Sequence, residues 1–301
     1  MEIGRIGIWT AAFDAHPSSD VAAAVCQLEQ LGYQTLWLNE AVGREPFVMA
    51  GFLLSVTSTL KVALGIANIY ARDPMTTAAA QKSLAEAYPD RFLLGLGVSS
   101  PALVEKVRGH DYAKPLTYMK AYLEAMDVAP YNAVEPNEPP ARVLAALGPK
   151  MLELSASHAN GAHPYLTTPE HTLFARQILG PKPLLAPEQM VLLESDPSRA
   201  REIGRSALRY YLRAPGYLAN LRRLGFSDDD WRDSKSSSDR LVDAIVAWGN
   251  VDQVVNRVRE HLDAGADHVA VQVLRGDREI PSDEWQQLAP SLLGQGTADK
   301  R

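Results

Sequence analysis

Short apolar runs alternate with amphipathic stretches along nearly the whole of this chain. The runs are RIGIWT (5–10), TLWLN (35–39), KVALGIAN (61–68), RFLLGLGV (91–98), ARVLAALG (141–148), GAHPYLT (161–167), EQMVLLES (188–195) and DHVAVQVL (267–274). Such alternation is what a parallel sheet covered by helices looks like in sequence, so each run predicts a strand. The stretches between them carry helix punctuation. DVAAAVCQLEQLG stops on Gly32, and PMTTAAAQKSLAEAYP opens on Pro74 and closes before Pro89. Val251, Val254, Val255, Val258 and Leu262 recur at helical spacing before Gly265, and the last strand follows at once. Eight strand–helix units predict a (β/α)8 TIM barrel, for which roughly 250 residues suffice. A doubly wound open sheet, the alternative, usually has fewer strands. The surplus falls between strands 7 and 8 as an insertion at about 213–248, with no strand expected between EQMVLLES and Asp267. Its GFSDDDWRDSKSSSD segment is polar and acidic, a solvated loop or a lid over the 227–239 stretch. One domain spanning 1–301 is the simpler organisation.

Composition narrows the functional classes. The chain has 301 residues, 46% of them hydrophobic, enough for a large core. Its longest apolar run falls far short of the roughly 18 residues that a membrane span needs. MEIGRIGIWT does not resemble a signal peptide, so a cytoplasmic protein without membrane association is expected. A net charge of -6 without a basic block argues against a nucleic-acid partner. Seven scattered histidines and one cysteine offer no metal-ligand spacing, so no metal is expected, and Cys26 reads as a small core residue.

In a barrel the chemistry sits where strands end, at the C-terminal face. TLWLNEA ends its apolar run on Asn39 and Glu40, which places both at that rim; Glu40 would be either a functional carboxylate or a cap on the helix starting near Pro46. Asn68 lies within the third run, and a buried amide there must bond to backbone or ligand. The fourth run ends Gly95-Leu96-Gly97-Val98-Ser99-Ser100, where two glycines would let a ligand approach the backbone. It lacks the third glycine and the later acidic residue of a dinucleotide fingerprint, which excludes a Rossmann fold. Gly148 and Pro149 open a helix whose N-terminus suits a phosphate, although proline there is also ordinary punctuation. Trp9, His163 and Tyr165 at other strand ends would wall a pocket or pack in the core.

Taken in order, LGYQTLWLNEA, KVALGIANIYARDP, AAAQKSLAEAYPDRFLLGLGVSS, AALGPKMLELSASHANGAHPYLTTPEH and NVDQVVNRVREHLDAGADHVAVQVL resemble the luciferase-like monooxygenase superfamily over roughly residues 3 to 275. ANIYARDP points within it to the oxidoreductases that use the deazaflavin coenzyme F420. The resemblance implies a bacterial luciferase-like barrel with the cofactor ring across its C-terminal mouth. It implies a non-prolyl cis bond between Ala67 and Asn68, with Ile69 beside it, behind the ring. It also implies that Gly97, Val98, Ser99 and Ser100 meet the ring or ribityl chain, and that Leu147 and Gly148 hold the phosphate. Relatives commonly carry an aspartate–histidine pair where this chain has Asn39 and Glu40, and often a histidine at position 100.

The expected activity is therefore hydride transfer between F420 and a small organic substrate. Glu40, its carboxyl raised by burial, would be the acid or base, Asn39 and Asn68 would orient ring or substrate, and Trp9, His163 and Tyr165 would line the pocket. An FMN-dependent monooxygenase and a non-catalytic cofactor-binding barrel are the alternatives. The resemblance also implies a homodimer, with FVMAGFLLSV as a possible interface helix.

Overall fold

The computed structural model describes residues 1–232 and 237–294. Its parallel sheet contains β1 (Ile6–Thr10), β2 (Thr35–Leu38), β3 (Lys61–Leu64), β4 (Ala67–Asn68), β5 (Phe92–Gly97), β6 (Arg142–Leu144), β7 (Gly161–Ala162), β8 (Leu184–Leu185), β9 (Glu188–Leu192), β10 (Val246–Trp248) and β11 (Val269–Val273). β1 pairs with β2 and β11, and β2, β3, β5, β6 and β7 follow as successive neighbours. The continuous stretch 184–192 closes the ring, because β8 pairs with β7 while β9 pairs with β11. Counting β3 with β4 and β8 with β9 as single staves, and setting aside β10, which pairs only with β9, this is an eight-stave (β/α)8 barrel.

The staves are buried on both faces, so their sequences read as continuous apolar runs. Inside the ring, Trp37 stacks on His163 at 4.2 Å and donates from Nε1 to His268 Nε2 at 3.0 Å. Around the ring lie α1 (Ser18–Gln30), α2 (Pro46–Val56), α3 (Pro74–Ala87), α4 (Pro115–Asp127), α5 (Pro149–His158), α6 (Pro169–Leu179), α7 (Pro197–Leu208), α8 (Pro215–Arg223), α9 (Asp239–Ile245), α10 (Val251–Asp263) and α11 (Ser282–Leu293). Their starts follow side-chain chemistry: Glu45, Asp73 and Asp196 each accept a backbone N–H from the first turn of the helix they precede, and a proline follows each of them. Asn250 and Gln253 form a reciprocal capping box on α10, which buries Val254, Val255 and Val258.

Two expectations are corrected here. A strand does intervene before Asp267: Val246–Trp248 of β10 pairs with Met190–Leu192 of β9. It went unread because α9 runs into it with no breaker between them. The cis peptide bond lies at Gly65–Ile66, not Ala67–Asn68. Gly65 is the residue without a side chain in the gap between β3 and β4, and a Cβ there would come within 2.7 Å of Trp9 Nε1 and 2.8 Å of His163 Nε2. The bend in stave three therefore centres on this glycine, two residues earlier than expected. Of the 227–239 stretch, residues 233–236 lie outside those described; residues 228–230 form a short helical turn, with Asp230 paired to Arg240. Among the described residues no helix is long and apolar enough to cross a membrane.

Candidate active site at the barrel mouth

The polar ends of β2 and β4 meet. Glu40 Oε2 accepts from the Asn68 backbone N–H at 2.7 Å and from Arg72 Nη1 at 2.9 Å; Oε1 accepts from Arg72 Nη2 at 2.8 Å and Arg108 Nη2 at 3.2 Å. Arg72 also reaches Glu45 at 2.9 Å and lies over the Phe47 ring at 5.0 Å. A carboxylate has about four acceptor directions, and all four are used here. The surroundings of Glu40 are thus two guanidinium groups and an amide, not an apolar ring. Nor does Glu40 cap the next helix, which is the work of Glu45.

Asn68 is 1% exposed. Its Oδ1 accepts from Tyr70 N at 3.0 Å, but its Nδ2 has no partner. Ala67 and Ile69 beside it are buried. At Gly97 the space a Cβ would need is filled by the Ile66 side chain, and at Gly95 by the Leu64 carbonyl. These glycines admit the chain's own bend against β5, so the close approach they permit is already taken. Beyond them Val98, Ser99 and Ser100 are half-buried. Ser99 has a left-handed backbone at φ 58° and its carbonyl accepts from Tyr112 Oη; Ser100 Oγ accepts from Leu103 N at 3.4 Å. Asn39, half-buried, lines a narrow crevice with Thr10 and Arg44.

Gly148 precedes α5, as expected, and Pro149 occupies its first turn. The Leu147 carbonyl is taken by His171 Nε2 at 2.9 Å, so it faces inward. Sequence reasoning missed Arg223, at the end of α8: a Cβ on Gly148 would lie 3.2 Å from its Nη2. A guanidinium beside a helix N-terminus makes an anion site of ordinary design. Nothing in LRRLGF signals this role, since it depends on where the insertion folds back.

Trp9 and Tyr165 meet at 5.0 Å between ring centroids, and Trp9 Nε1 donates to the Gly65 carbonyl at 3.1 Å. His163 is inside the barrel: its Nδ1 lies 2.6 Å from the Ala186 carbonyl, its Nε2 has no partner, and burial holds the imidazole down at about 4. It is thus neutral at pH 7, with the proton on Nδ1. Tyr165 Oη donates to Gln272 Oε1 at 2.8 Å and lies 2.8 Å from Tyr211 Oη. Gln272 in turn lines a cavity of about 400 Å³ beside the ends of β1 and β11, with Thr10, Ala11 and Arg275. Sequence reasoning also missed Glu188, which is 1% exposed, accepts from Leu166 N at 3.1 Å, and has no partner at Oε1. Burial pushes its carboxyl up to about 8.

A parallel eight-stave barrel with polar groups gathered at one mouth defines a (β/α)8 protein whose loops carry the site. Residues 6–268 match the luciferase-like monooxygenase family, and the chain belongs to it. A 5,10-methylenetetrahydromethanopterin reductase of Archaeoglobus fulgidus is 23% identical over 285 residues, covering 80% of this chain and 85% of that protein. A protein of Mycobacterium tuberculosis provisionally named a coenzyme F420-dependent oxidoreductase is 30% identical over 125 residues; that match spans 41% of this chain and 36% of the relative. Among solved structures, an F420-dependent secondary alcohol dehydrogenase in complex with an F420–acetone adduct superposes with a TM-score of 0.76 at 13% identity, over 97% of this chain and 99% of the other. The coenzyme F420-dependent tetrahydromethanopterin reductase of Methanopyrus kandleri gives 0.75 at 16%, over 98% and 99%. At such identities these two likenesses speak for the fold.

Proposed function

We propose that the chain is a coenzyme F420-dependent oxidoreductase that moves a hydride between the deazaflavin and a small organic substrate. The observation that carries this is agreement between independent comparisons: a relative found by sequence and two neighbours found by fold are all named for F420. The residues present suit the group. Asn68 Nδ2 is a buried donor without an acceptor, which a ring carbonyl would satisfy. The Gly148 helix start with Arg223 would take the phosphate, and the loop from Val98 to Ser100 would border the ring.

When bound, the deazaflavin supplies a carbon that gives or takes a hydride; orientation, water exclusion and proton supply fall to the protein. Glu40 then has a positioning role, since by holding the Asn68 N–H and Arg72 it fixes the bend behind the ring. Trp9 and Tyr165 form the substrate wall. Titration of the apoprotein with oxidised F420 and, in parallel, FMN, following each cofactor's fluorescence, tests the proposal. Micromolar or tighter binding of F420 with weaker FMN binding is expected; preference for FMN would favour oxygen chemistry on the same barrel and overturn it.

A further inference from the structure

Two adjacent arginines at the end of α8 are treated in opposite ways. Arg222 pairs with Asp228 at 2.6 Å, whereas Arg223 has no ion pair among the described residues. Instead its Nη1 donates to the Oδ1 of Asn220 at 3.2 Å. The two residues stand three positions apart, so they share one face of the helix. A guanidinium has only donors, which fixes the amide: its oxygen faces Arg223 and its nitrogen takes the other branch of the same planar group. Asn220 is 1% exposed, and that Nδ2 is buried without an acceptor.

Arg223 lies against the start of α5. A Cβ on Gly148 would come within 3.2 Å of its Nη2, and no side chain caps that helix. The positive end of a helix and a guanidinium without a counter-charge repel each other unless an anion joins them. His171, which bonds the neighbouring Leu147 carbonyl, brings no counter-charge: burial, with the Arg223 charge adding to it, holds the imidazole down at about 4 and so neutral at pH 7. A carboxylate at position 220 would grip Arg223 more tightly but cancel its charge. An amide aims the guanidinium and leaves the charge whole. The unmet Nδ2 beside it is a second donor, and a buried donor costs stability until it finds an acceptor.

We propose that Asn220 makes an anion clamp of Arg223: its oxygen aims the guanidinium at the start of α5, and its Nδ2 is a second donor to the same ligand, the phosphate of the cofactor side chain. The proposal rests on the F420 reading above. A phosphodiester has two free oxygens, one for Arg223 and one for Asn220. Asn220 moves no proton and its role is affinity, through Arg223 and beside it. The insertion thereby becomes part of the cofactor site.

The test compares oxidised F420 with its deazaflavin riboside, which has the same ring and ribityl chain but no phosphate, by fluorescence titration of the apoprotein. Wild type should bind F420 about tenfold more tightly than the riboside. Asn220→Asp keeps an oxygen toward Arg223 but removes the donor and cancels the charge. It should weaken F420 binding by about tenfold and leave riboside binding within about twofold. Asn220→Ala, which loses the tether without adding a charge, should also weaken F420 alone, and it serves if the buried carboxylate impairs folding. Equal losses for the two ligands would mean a merely structural residue, and these, or unchanged F420 binding in both variants, would overturn the clamp. Equal binding of the two ligands to wild type would overturn it too while leaving the cofactor reading in place. Binding of neither ligand would overturn that reading and the clamp with it.

Discussion

Replacing Glu188 by glutamine should flatten the alkaline side of the stability profile. Burial raises the folded carboxyl from its ordinary 4.5 to about 8. Between those values the unfolded chain releases the proton while the folded chain keeps it, so stability falls as pH rises, by about 1.4 kcal/mol per pH unit. The gap of about 3.5 units amounts to about 5 kcal/mol, fully present below pH 4.5 and gone above pH 8. Buried histidines act the other way: His163, His171 and His268 are held at about 4 and His261 at about 3, from an ordinary 6.5. Their contribution is present above pH 6.5 and lost as pH falls toward 4. The window from pH 6.5 to 8 therefore isolates the glutamate, where wild type should lose about 2 kcal/mol that Glu188→Gln keeps. Urea unfolding at the two pH values measures it, with equal m-values as the check that both proteins unfold alike. Parallel losses in the two proteins would show that Glu188 is ionised in the fold and refute the reasoning.

Glu40→Gln leaves Arg72 and Arg108 facing an amide in a largely buried setting, and should cost about 3 kcal/mol in denaturant unfolding; a loss below about 1 kcal/mol would show that solvent replaces the carboxylate. Gly97→Ala drives a methyl into Ile66 and should cost about 1–3 kcal/mol while weakening F420 binding, whereas an unchanged dissociation constant would detach the bend from the cofactor. Arg223→Ala should raise the F420 dissociation constant by about tenfold and leave the unfolding midpoint in place. A midpoint shift without a binding change would make Arg223 structural.

The staves were legible because a strand buried on both faces cannot alternate, and a helix ending on Gly32 or Gly265 marks where the next one begins. Boundaries blurred where no breaker stands, as between Ile245 and Val246. The bend in stave three is visible as Gly65 inside an apolar run, the ordinary mark of a bulge, whereas the family resemblance implies it at Ala67–Asn68. The site was less legible. Glu40 and Arg72 are 32 positions apart and Arg108 is 68 from Glu40; only the ring closure brings them together. Glu188 carried a faint signal, a carboxylate at the head of an apolar strand. Whether it is paired there depends on what faces it across the barrel, which no local pattern encodes.

The pairing of Glu40 with two arginines also bears on descent. Position 40 holds together groups from three separate loops, so an ancestor could not have changed it alone without stranding two buried or half-buried cations. Positions 40, 72 and 108 should therefore vary together across the family, with histidine at 40 accompanied by the loss of one or both arginines. An alignment in which 72 and 108 drift independently of 40 would show that the clamp is recent and dispensable.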